Sequence, residues 1–111
     1  MIKRNFLILQ IISYSLMIQF PCYGVNLEKG KTLFLINCIA CHQNGNNLII
    51  PEKNLKKSTL EANGMYNQNA IIYQVLNGKN GMPAFGGRLN ENEIENIASY
   101  ILYAANKEFE E

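Results

Sequence analysis

Residues 25–111 predict an all-α domain of about four helices joined by long loops. Apolar side chains return at three- and four-residue intervals in separate segments, Asn stands where helix N-caps are needed, and no run alternates apolar with polar residues as a half-buried strand would. No internal repeat or low-complexity block interrupts the pattern.

The chain opens with Met1, Ile2, Lys3 and Arg4, runs through an apolar stretch from Phe6 to Phe20 and reaches Pro21-Cys22-Tyr23-Gly24. A charged start, a greasy middle and small residues two apart predict a signal peptide over 1–24, cut after Gly24. A retained anchor is disfavoured, since a span needs about 20 apolar residues. This run is shorter and is broken by Gln10, Ser13, Ser15 and Gln19.

Asn26 can cap the first helix, with Glu28 in its first turn, where the helix dipole favours negative charge. Leu27, Gly30, Leu33, Phe34 and Asn37 share a face and the helix delivers Cys38. From Gln43 to Pro51 the composition is that of a loop. A short helix is expected from about Leu55 to Ala62, closed by Asn63-Gly64, and a third from Asn69 to Asn77, with Gly78 at a left-handed end. The glycine-rich run Gly78–Gly87 suits neither helix nor strand and reads as a shaped loop. In the last helix Asn90-Glu91-Asn92-Glu93 forms an Asn version of a capping box, and Ile94, Ile97, Ala98, Ile101 and Ala105 recur at helical spacing.

The 111 residues are 48% hydrophobic and 17% charged, as in a single small domain. Loss of Lys3 and Arg4 with the signal takes the ten basic residues to eight, against nine acidic ones, all Glu. A nearly neutral domain without a basic stripe has no grip on nucleic acid. A domain of this length buries only roughly 60 to 65% of the surface its unfolded chain exposes, so a bonded cofactor would add needed stability. Cys22 leaves with the signal, and Cys38 and Cys41 sit too close together to frame a disulfide-stapled fold.

Cys38-Ile39-Ala40-Cys41-His42 carries the chemistry. Two thiols three residues apart can each add across a vinyl group of one haem, and the adjacent imidazole can reach the iron. A zinc site needs four ligands, yet residues 25–111 hold two Cys, one His and no Asp. A dithiol redox site wants a βαβ setting that is not legible here, and buried structural cysteines leave the histidine unexplained. The sixth iron position decides between a closed electron carrier and an open site for small ligands. Met65 and Met82 are available. Met82 is favoured, because Pro83 moves it out of helical geometry and Gly81 permits close approach of the backbone. Met65 reads as a core or rim residue.

These residues resemble the photosynthetic cytochrome c6 family of cyanobacteria and algal plastids. The resemblance covers essentially all of 25–111: Leu27-Glu28-Lys29-Gly30 and Phe34, Asn37-Cys38 to His42, Gly45-Asn46-Asn47, Pro51-Glu52-Lys53, Leu60 to Gly64, Tyr73-Gln74-Val75, Asn77 to Leu89 and Ala98-Ser99-Tyr100. It implies a small class I cytochrome c fold around one covalent haem c, carried by Cys38 and Cys41, with His42 as proximal and Met82 as distal ligand. It further implies that the first and last helices cross, with Gly30 and Phe34 against Ile97 and Tyr100. Gln74 is implied to pack near the haem and tune its potential. Arg88, the sole arginine after processing, is implied to lie near the haem and to support docking.

The implied role is a monomeric, soluble one-electron carrier and not an enzyme, taking electrons from the cytochrome b6f complex and giving them to photosystem I in the thylakoid lumen of a plastid or cyanobacterium. The rivals are a bacterial periplasmic cytochrome serving a respiratory oxidase and an open-haem enzyme such as a peroxidase. Phe109 stands where the family often has Trp, and the tail after Tyr103 diverges. No Cys lies between His42 and Leu60, which disfavours the related plant form with a cysteine-bearing insertion.

Overall fold

A single side chain starts the first helix and another ties it to the last. The computed structural model describes residues 24–110; the expected signal peptide therefore lies almost wholly outside the described residues. Helix α1 (Leu27–Asn37) begins where Asn26 Oδ1 accepts from the Lys29 N–H at 3.0 Å, as its sequence predicted. The backbone N–H of the same Asn26 donates to Asn96 Oδ1, also at 3.0 Å, although the two residues are 70 apart in sequence. Asn96 is 3% exposed, so this bond is made where an unpaired donor would be costly.

After α1 come one turn of helix, α2 (Ile39–His42), a 3-10 turn at Gln43–Gly45 and another at Pro51–Lys53. These are followed by α3 (Lys57–Ala62), α4 (Gln68–Asn77) and α5 (Glu91–Asn106). The expected four helices are α1, α3, α4 and α5; α2 is the extra turn. The all-α class holds among the described residues, where the only extended pairing is one isolated bridge between Lys79 and Met82.

Two boundaries move for local reasons. Helix α3 starts at Lys57 rather than Leu55, because the Leu55 N–H donates to the Gly45 carbonyl at 2.7 Å and Asn54 Oδ1 accepts from the Lys56 N–H at 3.0 Å, holding both residues out of the helix. Helix α4 starts at Gln68, one residue early, because Asn67 provides the cap by accepting from the Ala70 N–H at 3.0 Å. Gly78 ends α4 at φ 70 as expected, but its ψ of 172 lies in the region open essentially to glycine alone, not in the left-handed helical region. A Cβ there would stand 2.6 Å from the Met82 carbonyl oxygen.

Helices α1 and α5 cross at Gly30, where an added Cβ would collide with the Asn96 carbonyl. Phe34 then meets Tyr100, with ring centroids 5.4 Å apart. The expected crossing is present, with Asn96 rather than Ile97 facing Gly30. Ile94, Ile97, Ala98, Ile101 and Ala105 are all buried, as their spacing predicted, and Ile94 and Ile97 are sealed from solvent. Full burial of each is worth about 1.5–3 kcal/mol. Helix α4 is tied to α5 by Gln68 Nε2, which donates to the Glu95 carbonyl at 3.1 Å and to Ser99 Oγ at 2.8 Å. The capping box of α5 is made in both directions, Glu93 N–H to Asn90 Oδ1 at 2.8 Å and Asn90 N–H to Glu93 Oε1 at 2.9 Å.

Candidate haem site

The Cys38 to His42 segment is a closed turn. The His42 N–H donates to the Cys38 carbonyl at 2.9 Å and the Cys41 N–H to the same oxygen at 3.2 Å. Positions three and four apart on such a turn share a face, which brings two thiols and an imidazole to one wall of a cleft of about 380 Å³. His42 Nδ1 lies 2.9 Å from the Asn46 carbonyl oxygen. A carbonyl only accepts, so Nδ1 is the donor in this bond, and in a neutral ring that leaves the lone pair on Nε2, the form in which imidazole ligates iron.

The end of α4 and the glycine-rich loop line the same cleft. Phe85 N–H and Gly86 N–H donate to the carbonyls of Val75 and Leu76 at 2.9 and 3.1 Å, folding the loop back along the helix that precedes it. Met82 is placed by a two-residue turn, in which Lys79 and Met82 exchange both backbone hydrogen bonds at 3.0 Å around Asn80 and Gly81. Their φ values of 46 and 84 are those of a type I′ turn, which Asn-Gly favours. Gln74 Nε2 lies 3.8 Å from Met82 Sδ.

All six residues singled out from the sequence, Cys38, Cys41, His42, Gln74, Met82 and Arg88, line this cleft. Arg88 stacks over the Phe85 ring, its guanidinium carbon 4.5 Å from the centroid. Met65 lines the cleft too and packs against the core, as the reading of it as a core or rim residue predicted. The charged side chains of the lining are Lys53, Lys79 and Arg88, all cations, and no carboxylate joins them. The sequence reading gave no role to Asn47, whose Oδ1 accepts from the N–H groups of Ile49 and Ile50 at 3.0 and 2.9 Å and whose Nδ2 donates to the Lys53 carbonyl at 2.9 Å. Such Asx turns are the signal that an Asn-rich loop carries, and here they shape one rim of the cleft. Asn46 gave no such signal, because it acts through its backbone.

The donor set fits a haem. The cleft has a volume suited to a sizeable ligand, its lining includes the apolar Phe34, Leu60, Ile71, Val75 and Ile101, and residues with thiol, imidazole and thioether groups line it too. Burial pushes the Cys38 thiol from 9.0 up to about 11. As a thiol it would cost stability between those values as pH rises, because the unfolded chain would ionise first. A thioether at this position has no proton to lose and suits the apolar wall.

Residues 25–101 match the family model described as cytochrome c oxidase, cbb3-type, subunit III. The chain is 60% identical over 77 residues to cytochrome c6 of Bumilleriopsis filiformis, a match covering 69% of this chain and 90% of that one. It is 45% identical over 101 residues to cytochrome c6 of a Synechococcus species, covering 91% and 90% of the two chains. The chain belongs to the cytochrome c6 family. Among solved structures, cytochrome c6 of the diatom Phaeodactylum tricornutum superposes with a TM-score of 0.73 at 46% identity, over 77% of this chain and 99% of that one. A c-type cytochrome of photosynthetic electron transport, this protein carries a covalently bound c-type haem, and the small class I cytochrome c fold expected from its sequence is the fold it has. Among the described residues no helix is long and apolar enough to cross a membrane.

Proposed function

We propose that Cys38 and Cys41 hold the haem through thioether bonds, that His42 Nε2 and Met82 Sδ are its axial ligands, and that the protein carries single electrons from the cytochrome b6f complex to photosystem I. The observation that supports this most is that His42 and Met82 line the same cleft as both thiols. The haem supplies one iron centre that cycles between the ferric and ferrous states. The chain's own groups bias that cycle. A soft thioether, apolar walls and the three cations of the lining each favour the state with less positive charge, within a range of about 0.8 V that haem ligation can span. Filling the sixth position with Met82 closes the site to substrate, so the protein works as a carrier and not as an enzyme. A lumen location, as a soluble monomer after removal of residues 1–24, is the reading that the signal segment and the family support. Small, transient interfaces with the two membrane complexes suit a carrier that must let go quickly.

The deciding experiment is the reduction potential of the processed holoprotein at neutral pH, together with carbon monoxide binding by the reduced form. A strongly positive potential and no binding are expected; Met82→Ala should lower the potential and admit carbon monoxide. A potential near or below zero in the unaltered protein would remove both the Met82 ligation and the photosynthetic role while leaving the thioether attachment standing. The match to an oxidase subunit model favours a second reading, electron delivery to a respiratory oxidase. Electron-transfer kinetics with each acceptor separate the two, and a faster reaction with the oxidase would favour the second.

A further inference from the structure

Four Asn-Gly pairs occur in the described residues, at 44–45, 63–64, 77–78 and 80–81. Asn followed by Gly is open to spontaneous deamidation because glycine sets no side chain in the way of its own backbone nitrogen. That nitrogen attacks the Asn Cγ, a Cγ–N bond closes a succinimide ring, the Cγ–Nδ2 bond breaks, and the nitrogen's proton leaves with the amide as ammonia. Water then opens one of the two ring carbonyls and leaves either Asp or isoaspartate. The reaction requires an Asn side chain free to swing and a Gly N–H free to approach it.

Three of the four pairs are restrained. Asn77 Nδ2 donates to the Tyr73 carbonyl at 2.9 Å, and the Gly78 N–H is held by the Gln74 carbonyl at 2.7 Å. Asn63 Nδ2 donates to the Thr59 carbonyl at 3.0 Å, its Oδ1 accepts from Lys53 Nζ at 3.2 Å, and the Gly64 N–H donates to the Glu61 carbonyl at 3.1 Å. Gly45 is buried beneath Phe109, whose ring carbon lies 2.5 Å from where a Cβ would stand. Asn80 shows none of these restraints. All four Asn are exposed, but among the described residues neither the Asn80 side chain nor the Gly81 N–H has a hydrogen bond, and Gly81 is itself exposed. The nearest side-chain atoms to the Cβ position of Gly81 are those of Ile49, at 3.7 Å.

We propose that Asn80 is a site of spontaneous deamidation and that isoaspartate formed there loosens Met82 from the iron. Isoaspartate routes the backbone through the former side chain and adds one methylene inside the two-residue turn. The paired 3.0 Å bonds between Lys79 and Met82 close around that turn, and the longer link breaks the register that places Met82. A new carboxylate also enters a lining whose charged groups are Lys53, Lys79 and Arg88. The second half of this inference rests on the Met82 ligation proposed for the haem; the first half does not.

The test is to age the processed holoprotein in warm, mildly alkaline buffer, map deamidated and isoaspartyl peptides, and follow the weak red band that marks methionine ligation of ferric haem. Asn80 should react first, several-fold faster than Asn63 or Asn77, and the band should fall in step with its isoaspartate fraction. Asn80→Gly keeps the turn and removes the amide, so its band should persist on ageing. Asn80→Asp adds the charge without the methylene and should keep its band when fresh. If another pair reacts first, or none does, the site is wrong. If Asn80 reacts and the band holds, the loosening is wrong. A fresh protein without the band would instead defeat Met82 ligation, and the peptide map would still judge the site.

Discussion

Gln74 Nε2 and Met82 Sδ lie 3.8 Å apart. Their meeting depends on the loop after α4 folding back to bond Val75 and Leu76, so a polar side chain on a helix comes to face a thioether on the following loop. With Met82 on the iron as proposed, an N–H directed at its sulfur would draw density from it and favour the reduced iron. Gln74→Val should lower the reduction potential by about 20–65 mV, the equivalent of a hydrogen bond worth about 0.5–1.5 kcal/mol at about 2.3 kcal/mol per 100 mV. Voltammetry of the two proteins measures it, and equal potentials would leave Gln74 as packing alone.

Gly30 allows α1 and α5 to touch. Gly30→Ala places a Cβ on the Asn96 carbonyl, which must move and would take the Asn26 to Asn96 bond with it. A loss of about 1–3 kcal/mol is expected, read as a lower denaturant midpoint with the haem absorbance retained. A midpoint within error of the unaltered protein would show that the crossing can open without cost.

Thiol titration in denaturant tests both the attachment and the processing. With Cys38 and Cys41 bonded to haem, the protein cut after Gly24 should show no free thiol, and the uncut chain should show one, Cys22. Two thiols in the cut protein would defeat thioether attachment.

Arg88 is exposed, stacks on Phe85 and borders the cleft. If it steers encounter with photosystem I, Arg88→Gln should lower the bimolecular electron-transfer rate at low salt, and the difference should shrink as salt screens the charge. A rate unchanged at low salt would assign Arg88 to packing on Phe85.

Much of this molecule was legible in its sequence, because much of it is local. Caps, turns and helical periodicity act over three or four residues, which is why Asn26, the Asn90 to Glu93 box and the buried stripe of α5 stand where they were expected. The Cys38 to His42 spacing is likewise a single turn, so the sequence alone put two thiols and an imidazole on one face. The helix starts at Asn69 and Leu55 differ from those found because the deciding partners were the Asn67 cap, two places outside the expected helix, and the Gly45 carbonyl, ten residues upstream of Leu55.

Longer-range relationships had no local signal. Phe109 read only as a departure from the family's Trp; in the fold its ring packs 6.1 Å from that of Phe34 and covers Gly45, three residues beyond His42. The Asn46 carbonyl fixes the tautomer of His42 through the path of its backbone, which no residue type announces. The sequence by itself determined the helical class and the haem-bearing turn, since each follows from bonding within a few residues. Only the tertiary structure decided which residues line the cleft beside that turn, which cations border it, and which of the Asn-Gly pairs is left free. Those depend on helices packing across the core, where burial and shape, rather than spacing along the chain, choose the neighbours.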